Sequence, residues 1–517
     1  MTLRLHNTLN RRIEPFVPLH PGRASLYTCG PTIYNYAHIG NFRTFLFEDL
    51  LRRWLEASGY DVFHVMNLTD VDNRTIAAAA AKGVSLRHHV DPFAHAFEED
   101  RDWLRIRPPH AQPRATEYIA PMIELIQGLL DRGVAYQADD GSVYFSIARF
   151  PAYGRLSQLD RRELRAGASQ RVSDDEYAKE DAADFALWKA AGPQDEAVGA
   201  AWDAPFGRGR PGWHIECSAM ALELIRRKWG VDVLDIHAGA VDLIFPHHED
   251  EIAQSCAFTG KAEFARVWVH GEFLDLEGTK MSKRYGNILT ARDLREQGAD
   301  PGAVRHLLFN THYRQKLDWS DVALAAAHEG SARLGAFRDR LELAAGREDD
   351  PAAAAAAARF QAAFAAALND DLNAPEALGA LHILVREGNR LLDEGRRLGS
   401  AFQAALALAD DVLAVAPSAR ARTVTADALA VAEEDGIPVH PPEVPPPDPA
   451  DAEAWALRWA AVRAAEKRAR NFGEADRIRD LLRGAGWEIR DRRDGAIEAI
   501  RRAGGGGGAA AGGAPAA

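Results

Sequence analysis

The feature that most constrains this 517-residue chain is a strand, a helix and a second strand that follow one another closely near its N-terminus. Ser25–Cys29 reads as a short strand stopped by Gly30-Pro31. From Asn41 the apolar period changes. Phe42, Leu46, Leu50 and Trp54 fall four apart, with Phe47, Leu51 and Leu55 alongside, which predicts one apolar face of an amphipathic helix. Gly59 lies just past its expected end, and Val62–Met66 reads as the next strand. Such a βαβ unit requires a parallel sheet, so the fold class is α/β, and ligands in such folds bind at the carboxyl ends of the strands.

Composition narrows the function classes. The chain carries 62 basic and 75 acidic residues, a net charge of −13, so nucleic-acid binding must use a local patch. Such a patch exists: residues 458–502 hold 13 Lys and Arg against 8 Asp and Glu. The three cysteines, Cys29, Cys217 and Cys256, are too few for a disulfide scaffold and fit a reducing compartment. No N-terminal apolar run has signal-peptide length, and the Ala-rich tract 352–368 is broken by Arg359 and Gln361, so it reads as helix and not as a membrane span. A cytoplasmic protein with no membrane association is the expectation.

Strand and helix patterns alternate through two stretches, 1–114 and 212–270, around an insertion at 115–211 that contains a hairpin-like piece at Asp140-Gly141. Residues 271–318 carry the strand-like Phe273–Leu276, a Gly278 turn, a lysine-rich loop, and Thr290 with Asp293 as a helix cap. Residues 319–437 are Ala/Leu/Glu/Arg-rich and predict a helical bundle. A Pro-rich linker at 438–449, the basic module at 450–503 and a Gly/Ala tail at 504–517 complete the chain.

Three constellations carry chemistry. His38-Ile39-Gly40-Asn41 sits at the start of the first helix, where unbonded N–H groups and the helix dipole suit phosphate; on its own it reads first as a capping loop. Lys280-Met281-Ser282-Lys283-Arg284 follows a glycine and places two lysines where they can neutralise a polyphosphate, or simply face solvent. In Phe245-Pro246-His247-His248-Glu249-Asp250-Glu251, a helix opening at Pro246 puts His247 and Glu251 on one face as a pair of metal donors. Cys29 and Cys217 would complete a site from other elements; the alternative is that the cysteines are small core residues and the acidic cluster a solvated helix start.

The first two elements, in this order, resemble the ATP site of class I aminoacyl-tRNA synthetases. The run Cys29–Asn41, the stretches Asn67–Asp72, Gly212–Met220, Asp235–Ser255 and Lys280–Asn287, and further on Asn369–Ala377, resemble cysteinyl-tRNA synthetases. Two positions depart from the family pattern: Asn41, where His is frequent, and Arg284, where Ser is usual.

The resemblance implies a Rossmann-type catalytic domain with an insertion, then an α-helical bundle and a small C-terminal module that reach the anticodon of tRNA(Cys). It implies ATP, L-cysteine and tRNA(Cys) as substrates, Mg²⁺ with ATP, and one zinc held by Cys29, Cys217, His247 and Glu251. His38, Gly40 and Asn41, with Lys280, Met281, Ser282 and Lys283, would bind ATP and stabilise the departing pyrophosphate. Gly30, Thr69, Trp213, His237 and Asp242 would line the cysteine site. Arg463, Lys467, Arg468 and Arg470 recur at helical spacing as candidate tRNA contacts, and Trp455, Trp459 and Trp487 either stack on bases or form the module's core. Cys256 is expected to be buried and structural, and the protein a monomer. Two other readings remain: the related cysteine ligase of mycothiol synthesis, which lacks the full C-terminal extension, and a silent tRNA-binding paralogue.

Overall fold

The computed structural model describes residues 2–158, 184–281, 288–344, 350–417, 422–424, 433–434, 437–438, 441–446, 449–491 and 497–501. The chain forms two compact units: Met1–Ser331 with Gly346–Val415, and Ala332–Ala345 with Ala416–Ala517.

In the first unit, β1 (Arg4–Asn7) and β2 (Arg12–Pro15) form an antiparallel pair. Then β3 (Arg23–Thr28), α1 (Ile39–Ala57) and β4 (Asp61–Met66) form the βαβ unit that the periodicity predicts, with β3 and β4 parallel. After α2 (Asn73–Ala81) and α3 (Leu86–Trp103), the insertion folds as α4 (Ile119–Asp131) beside an antiparallel sheet of β5 (Ala135–Gln137), β6 (Val143–Phe145), β7 (Phe185–Ala190) and β8 (Gly209–Pro211), with the short α5 (Pro193–Val198) between the last two. The chain returns through α6 (Trp213–Trp229), β9 (Leu234–Ala240), α7 (Glu249–Thr259) and β10 (Ala265–Gly271). The central sheet has the order β10-β9-β3-β4 and is parallel throughout. Because β3 leads to β4 on one side and pairs with β9 on the other, the strand order reverses between β3 and β9. Ligands bind at the carboxyl edge of such a reversal.

Helix α1 differs from the simple amphipathic reading. Its apolar residues are buried as expected, but so are Arg43, Glu48, Asp49, Arg52 and Arg53. The polar face is covered because it serves as a set of ties: Arg43 donates to the carbonyls of Phe273 and His312, and Arg53 Nε pairs with Asp49 at 2.7 Å.

Beyond the sheet lie β11 (Leu274–Leu276), β12 (Thr279–Lys280), α8 (Ala291–Glu296), α9 (Pro301–Phe309) and β13 (Leu317–Trp319). The helices α10 (Asp321–Ala344), α11 (Pro351–Asn369), α12 (Ala374–Asp393) and α13 (Ser400–Leu413) follow. Among the described residues of the stretch expected to be helical to 437, the last helix ends at Leu413. Arg422–Val424 is instead β14, a strand too short to leave a periodic signal.

The second unit contains α14 (Pro449–Arg468), α15 (Phe472–Gly484), β15 (Trp487–Asp491) and β16 (Ile497–Arg501), with β16 central in the order β14-β16-β15. Trp455, Trp459 and Trp487 form its core with Val462, Ile478 and Leu482, so they are not base-stacking residues. The indole N–H groups of Trp455 and Trp459 both donate to the Pro442 carbonyl of the linker. Arg463 is fully buried, which corrects its reading as a tRNA contact. Lys467 is half-buried; Arg468 and Arg470 are exposed. Among the described residues no helix is long and apolar enough to cross a membrane.

Arg305 ties α9 to its surroundings. It is fully buried and donates to the carbonyls of Leu413 (2.8 Å) and Leu104 (2.9 Å) and to Asp49 (3.1 Å). Removing one member of such a buried network leaves desolvated acceptors behind. Arg305→Ala is expected to lower unfolding free energy by about 3 kcal/mol, the lower end of the range because Asp49 keeps Arg53. A urea titration showing a midpoint close to wild type contradicts this.

Candidate active site and metal centre

Two groups of functional side chains meet at the carboxyl edge of β3. The first is the start of α1. His38 is the N-cap in extended conformation, and it forms a reciprocal box with Asn41: the Asn41 N–H donates to His38 Nδ1 at 3.2 Å, and the His38 N–H donates to Asn41 Oδ1 at 3.1 Å. Since Nδ1 accepts, the ring proton of neutral His38 lies on Nε2, a donor for an anion at the helix end. Asn41 thus supports this end as a capping partner, a role its short amide fills well.

Gly40 shows why this position takes no side chain. A Cβ there would lie 2.8 Å from Met281 Cε and 3.0 Å from His38 Nδ1. Met281 is buried against the first turn of α1, and the Ile39 N–H donates to the Leu289 carbonyl at 2.8 Å. Residues flanking 282–287 on both sides therefore dock on the first turn of α1. Lys280 ends β12 opposite Asp275. Ser282, Lys283 and Arg284 lie outside the described residues. The expected cap of α8 forms, with Thr290 accepting from the Asp293 N–H.

The second group is a buried cluster. Cys29 follows β3, Cys217 lies in the first turns of α6, and His247 and Glu251 flank the start of α7. One ligand atom from each falls within 4.8 Å of the others, and all four residues are buried. The sulfurs are 3.9 Å apart, Cys29 Sγ is 3.8 Å from Glu251 Oε1, and His247 Nε2 is 3.1 Å from the same oxygen. The helix opens at Glu249 and not at Pro246: Phe245 is extended and its peptide bond to Pro246 is cis. The His247–Glu251 pairing survives this shift of the helix start.

The electrostatics suit a cation. Hydrogen bonding to Cys29 holds the Cys217 thiol down at about 6, with His247 adding to the effect, while burial pushes the Cys29 thiol up. Burial alone would raise Glu251, yet His237 and His247 hold it at about 2. Burial would lower His247, but Cys217 and Glu251 raise it well above the usual imidazole range. A thiol and a carboxyl held low and an imidazole held high thus meet at one point, where a metal cation would compensate the two acidic donors. Two sulfurs, one nitrogen and one oxygen are a donor set that zinc accepts.

A second set overlaps the first: Cys29, His237, His248 and Glu251 also fall within 4.8 Å. His248 stands three residues before Glu251, a spacing that could have found it, and its Nε2 lies 4.0 Å from Glu251 Oε1. Its Nε2 lies 3.4 Å from Cys29 Sγ, and its Nδ1 is 2.8 Å from His270, which in turn reaches Thr8. His237 is stacked under Trp268 at 4.6 Å and bonds Glu251 Oε2 at 3.1 Å. These two rings are engaged by protein partners beneath the cluster, whereas the Cys217–His247 side borders the half-buried Trp213 and His214. Trp213 stacks on His247 at 4.4 Å.

Thr69 is buried next to Asn67, whose amide donates to its hydroxyl at 3.2 Å. Asp242 is exposed just past the carboxyl end of β9. Cys256 is a buried residue of α7, its thiol pushed up to about 11 by burial.

Residues 15–329 match the family model for the catalytic domain of tRNA synthetases class I (C), and residues 363–416 match the DALR domain. A cysteine--tRNA ligase from Chlamydia pneumoniae is 43% identical over 499 residues, covering 95% of this chain and 97% of that one. One from Solibacter usitatus is 44% identical over 497 residues, covering 96% and 99%. Among solved structures, Mycobacterium tuberculosis methionyl-tRNA synthetase in complex with methionyl-adenylate aligns with a TM-score of 0.54 at 16% identity, over 76% of this chain and 90% of that chain. The last likeness is one of fold.

Gly30, directly after Cys29, donates its N–H to Asn67 Oδ1 at 3.0 Å, and a Cβ there would fall 1.7 Å from the Asn67 carbonyl oxygen. Gly30→Ala is expected to destabilise the fold by at least about 1–3 kcal/mol, because the clash is with backbone. A denaturation midpoint unchanged from wild type is the contrary result.

Proposed function

The chain belongs to the cysteine--tRNA ligases of the class I synthetases, and from that membership we propose that it joins L-cysteine to the 3′ end of tRNA(Cys) through a cysteinyl-adenylate, with zinc selecting the substrate thiol. The observation that carries the zinc reading is the convergence of Cys29, Cys217, His247 and Glu251 in one buried cluster beside the β3–β9 reversal.

Adenylate formation requires the cysteine carboxylate to attack the α-phosphate, so positioning and charge neutralisation dominate. The α1 N-terminus, with His38 Nε2–H, Asn41 and the backbone at Gly40, holds the phosphates of ATP. Lys280 and Lys283 neutralise the departing pyrophosphate, with Mg²⁺ accompanying ATP. The packing of Met281 on Gly40 supports this, since Met281 directly follows Lys280 in the chain.

Selectivity is the harder problem. Serine differs from cysteine by one atom, and an apolar pocket separates such isosteres by only ~10²-fold. When bound, zinc supplies a soft centre that prefers thiolate to hydroxyl. Cys29, Cys217, His247 and Glu251 hold it. His237 fixes the second oxygen of Glu251, and Trp213 fixes the plane of the His247 ring. Gly30, packed against the Asn67 carbonyl, fixes the backbone beside Cys29, while Thr69 and Asp242 serve the ammonium group. For tRNA, the exposed Arg468 and Arg470, with Lys467, provide phosphate contacts on the basic module. We take the enzyme to act as a cytoplasmic monomer.

The test is cysteine-dependent ATP–pyrophosphate exchange, followed by charging of tRNA(Cys). The purified chain is expected to carry one zinc by plasma mass spectrometry and to favour cysteine over serine by more than ~10²-fold. Cys217→Ala is expected to lose the metal and to cut exchange by ~10²-fold or more. Wild-type exchange in metal-free Cys217→Ala contradicts the zinc assignment, and exchange without tRNA charging contradicts the function.

A further inference from the structure

The loop from Cys29 to α1 joins the two parts of the site, and its apolar residues face two ways. Ile33 and Ile39 are buried, whereas Tyr36 is 49% exposed. It is the one exposed aromatic side chain among the described residues of the first unit. Its ring is nevertheless held in place. It meets Phe93 of α3 at 5.2 Å and 76°, edge to face, and Arg292 Cζ of α8 stands 5.2 Å from its centroid.

The supports are themselves fixed. Arg292 Nη2 donates to the Ala96 carbonyl at 3.0 Å and to Glu99 at 2.7 Å, and its Nε pairs with Asp100 at 3.4 Å. Phe93 is flanked by the Lys82 ammonium at 5.6 Å and the His89 ring at 5.3 Å. The N-cap of α8, Thr290, bridges to His38, so Arg292, Tyr36 and the start of α1 share one surface. A fixed aromatic ring beside a guanidinium plane, with half of its surface left to solvent, is suited to stacking an unpaired nucleic-acid base. Glu99 and Asp100 already meet the charge of Arg292, so the patch suits the flat face of a base better than a phosphate.

The charging reaction requires such a base near this point. The 3′-terminal adenosine must bring a ribose hydroxyl to the adenylate, whose phosphate lies at the start of α1 in the functional reading. The base is one ribose away from that hydroxyl, and Tyr36 is two residues, at most ~7 Å of chain, from His38. A ring that faces solvent is open to a strand arriving after the adenylate has formed.

We propose that Tyr36, held by Phe93 and Arg292, is a stacking platform for the unpaired 3′ end of tRNA, and that it serves cysteine transfer and not adenylate formation. The proposal rests on the charging function above and adds a tRNA contact within the catalytic unit. Stacking engages the face of a base and not its edge, so Tyr36 supplies placement and affinity rather than sequence selection.

The test uses the full-length chain with Tyr36→Ala, Tyr36→Leu and Tyr36→Phe. In Tyr36→Ala and Tyr36→Leu, cysteine-dependent exchange and the thermal midpoint are expected to stay near wild type. Their kcat/KM for tRNA(Cys) is expected to fall ~5-fold or more, the lower bound for losing one base–aromatic stack. Tyr36→Phe keeps the ring and is expected to charge at close to the wild-type rate. A tRNA(Cys) shortened by its unpaired 3′ nucleotides is expected to compete equally well on wild type and Tyr36→Ala, since the platform then has nothing to hold. Charging unchanged in Tyr36→Ala overturns the proposal. So does exchange falling in parallel with charging, as it would if the ring served the adenine of ATP, and so does weaker binding of the shortened tRNA to Tyr36→Ala. An unmutated chain without exchange, or with exchange but no charging, overturns the functional reading instead.

Discussion

A carboxylate removed entirely from water organises the centre of this protein. Glu251 is fully buried, and burial of a charge costs several kcal/mol unless it is compensated. It is compensated from three elements at once: His237 on β9, His247 before α7, and the thiol of Cys29 after β3. None of these contacts forms unless β3 and β9 pair in the observed register and α7 starts where it does. Both overlapping ligand sets share Glu251 and Cys29, so the cluster is built around this pair.

The same strand end connects the two halves of the chemistry. From Cys29 the chain runs to His38, which opens α1. Cysteine is a short molecule, so a thiol site and a phosphate site must lie close together for its carboxylate to reach the α-phosphate. The proposed thiol and phosphate sites both lie on one strand–loop–helix segment, which meets that demand locally. Tight packing stiffens the segment: Gly30 lies against the Asn67 carbonyl, and Gly40 lies under Met281. The aromatic and imidazole layer below, with Trp268 on His237 and His270 behind His248, fixes the donors from the far side.

Much of this was legible in the sequence because it is local. The change of period at Asn41 marked α1, Thr290 with Asp293 marked a cap, and the i, i+4 spacing of His247 and Glu251 placed them together even though the helix opens at Glu249. The pairing of these two with Cys29 and Cys217 was one of two open readings of the strand-end positions, and family resemblance decided between them, since no spacing rule spans such separations. What was not legible depends on which face becomes covered. Arg463 and the three tryptophans lie in a module where α14 and α15 pack with a small sheet. A local excess of positive charge cannot show which arginine that packing buries. The burial of the polar side of α1 and the role of His248 likewise arise from tertiary neighbours.

The central claim is that the four-residue cluster holds a zinc ion with a place for the substrate sulfur. The most direct measurement is zinc X-ray absorption on the purified protein, without and with L-cysteine. Two sulfur and two nitrogen or oxygen neighbours are expected in the free protein, rising to three sulfurs when cysteine is added and unchanged with serine. A sulfur count that does not change with cysteine, or a single sulfur in the free protein, contradicts it.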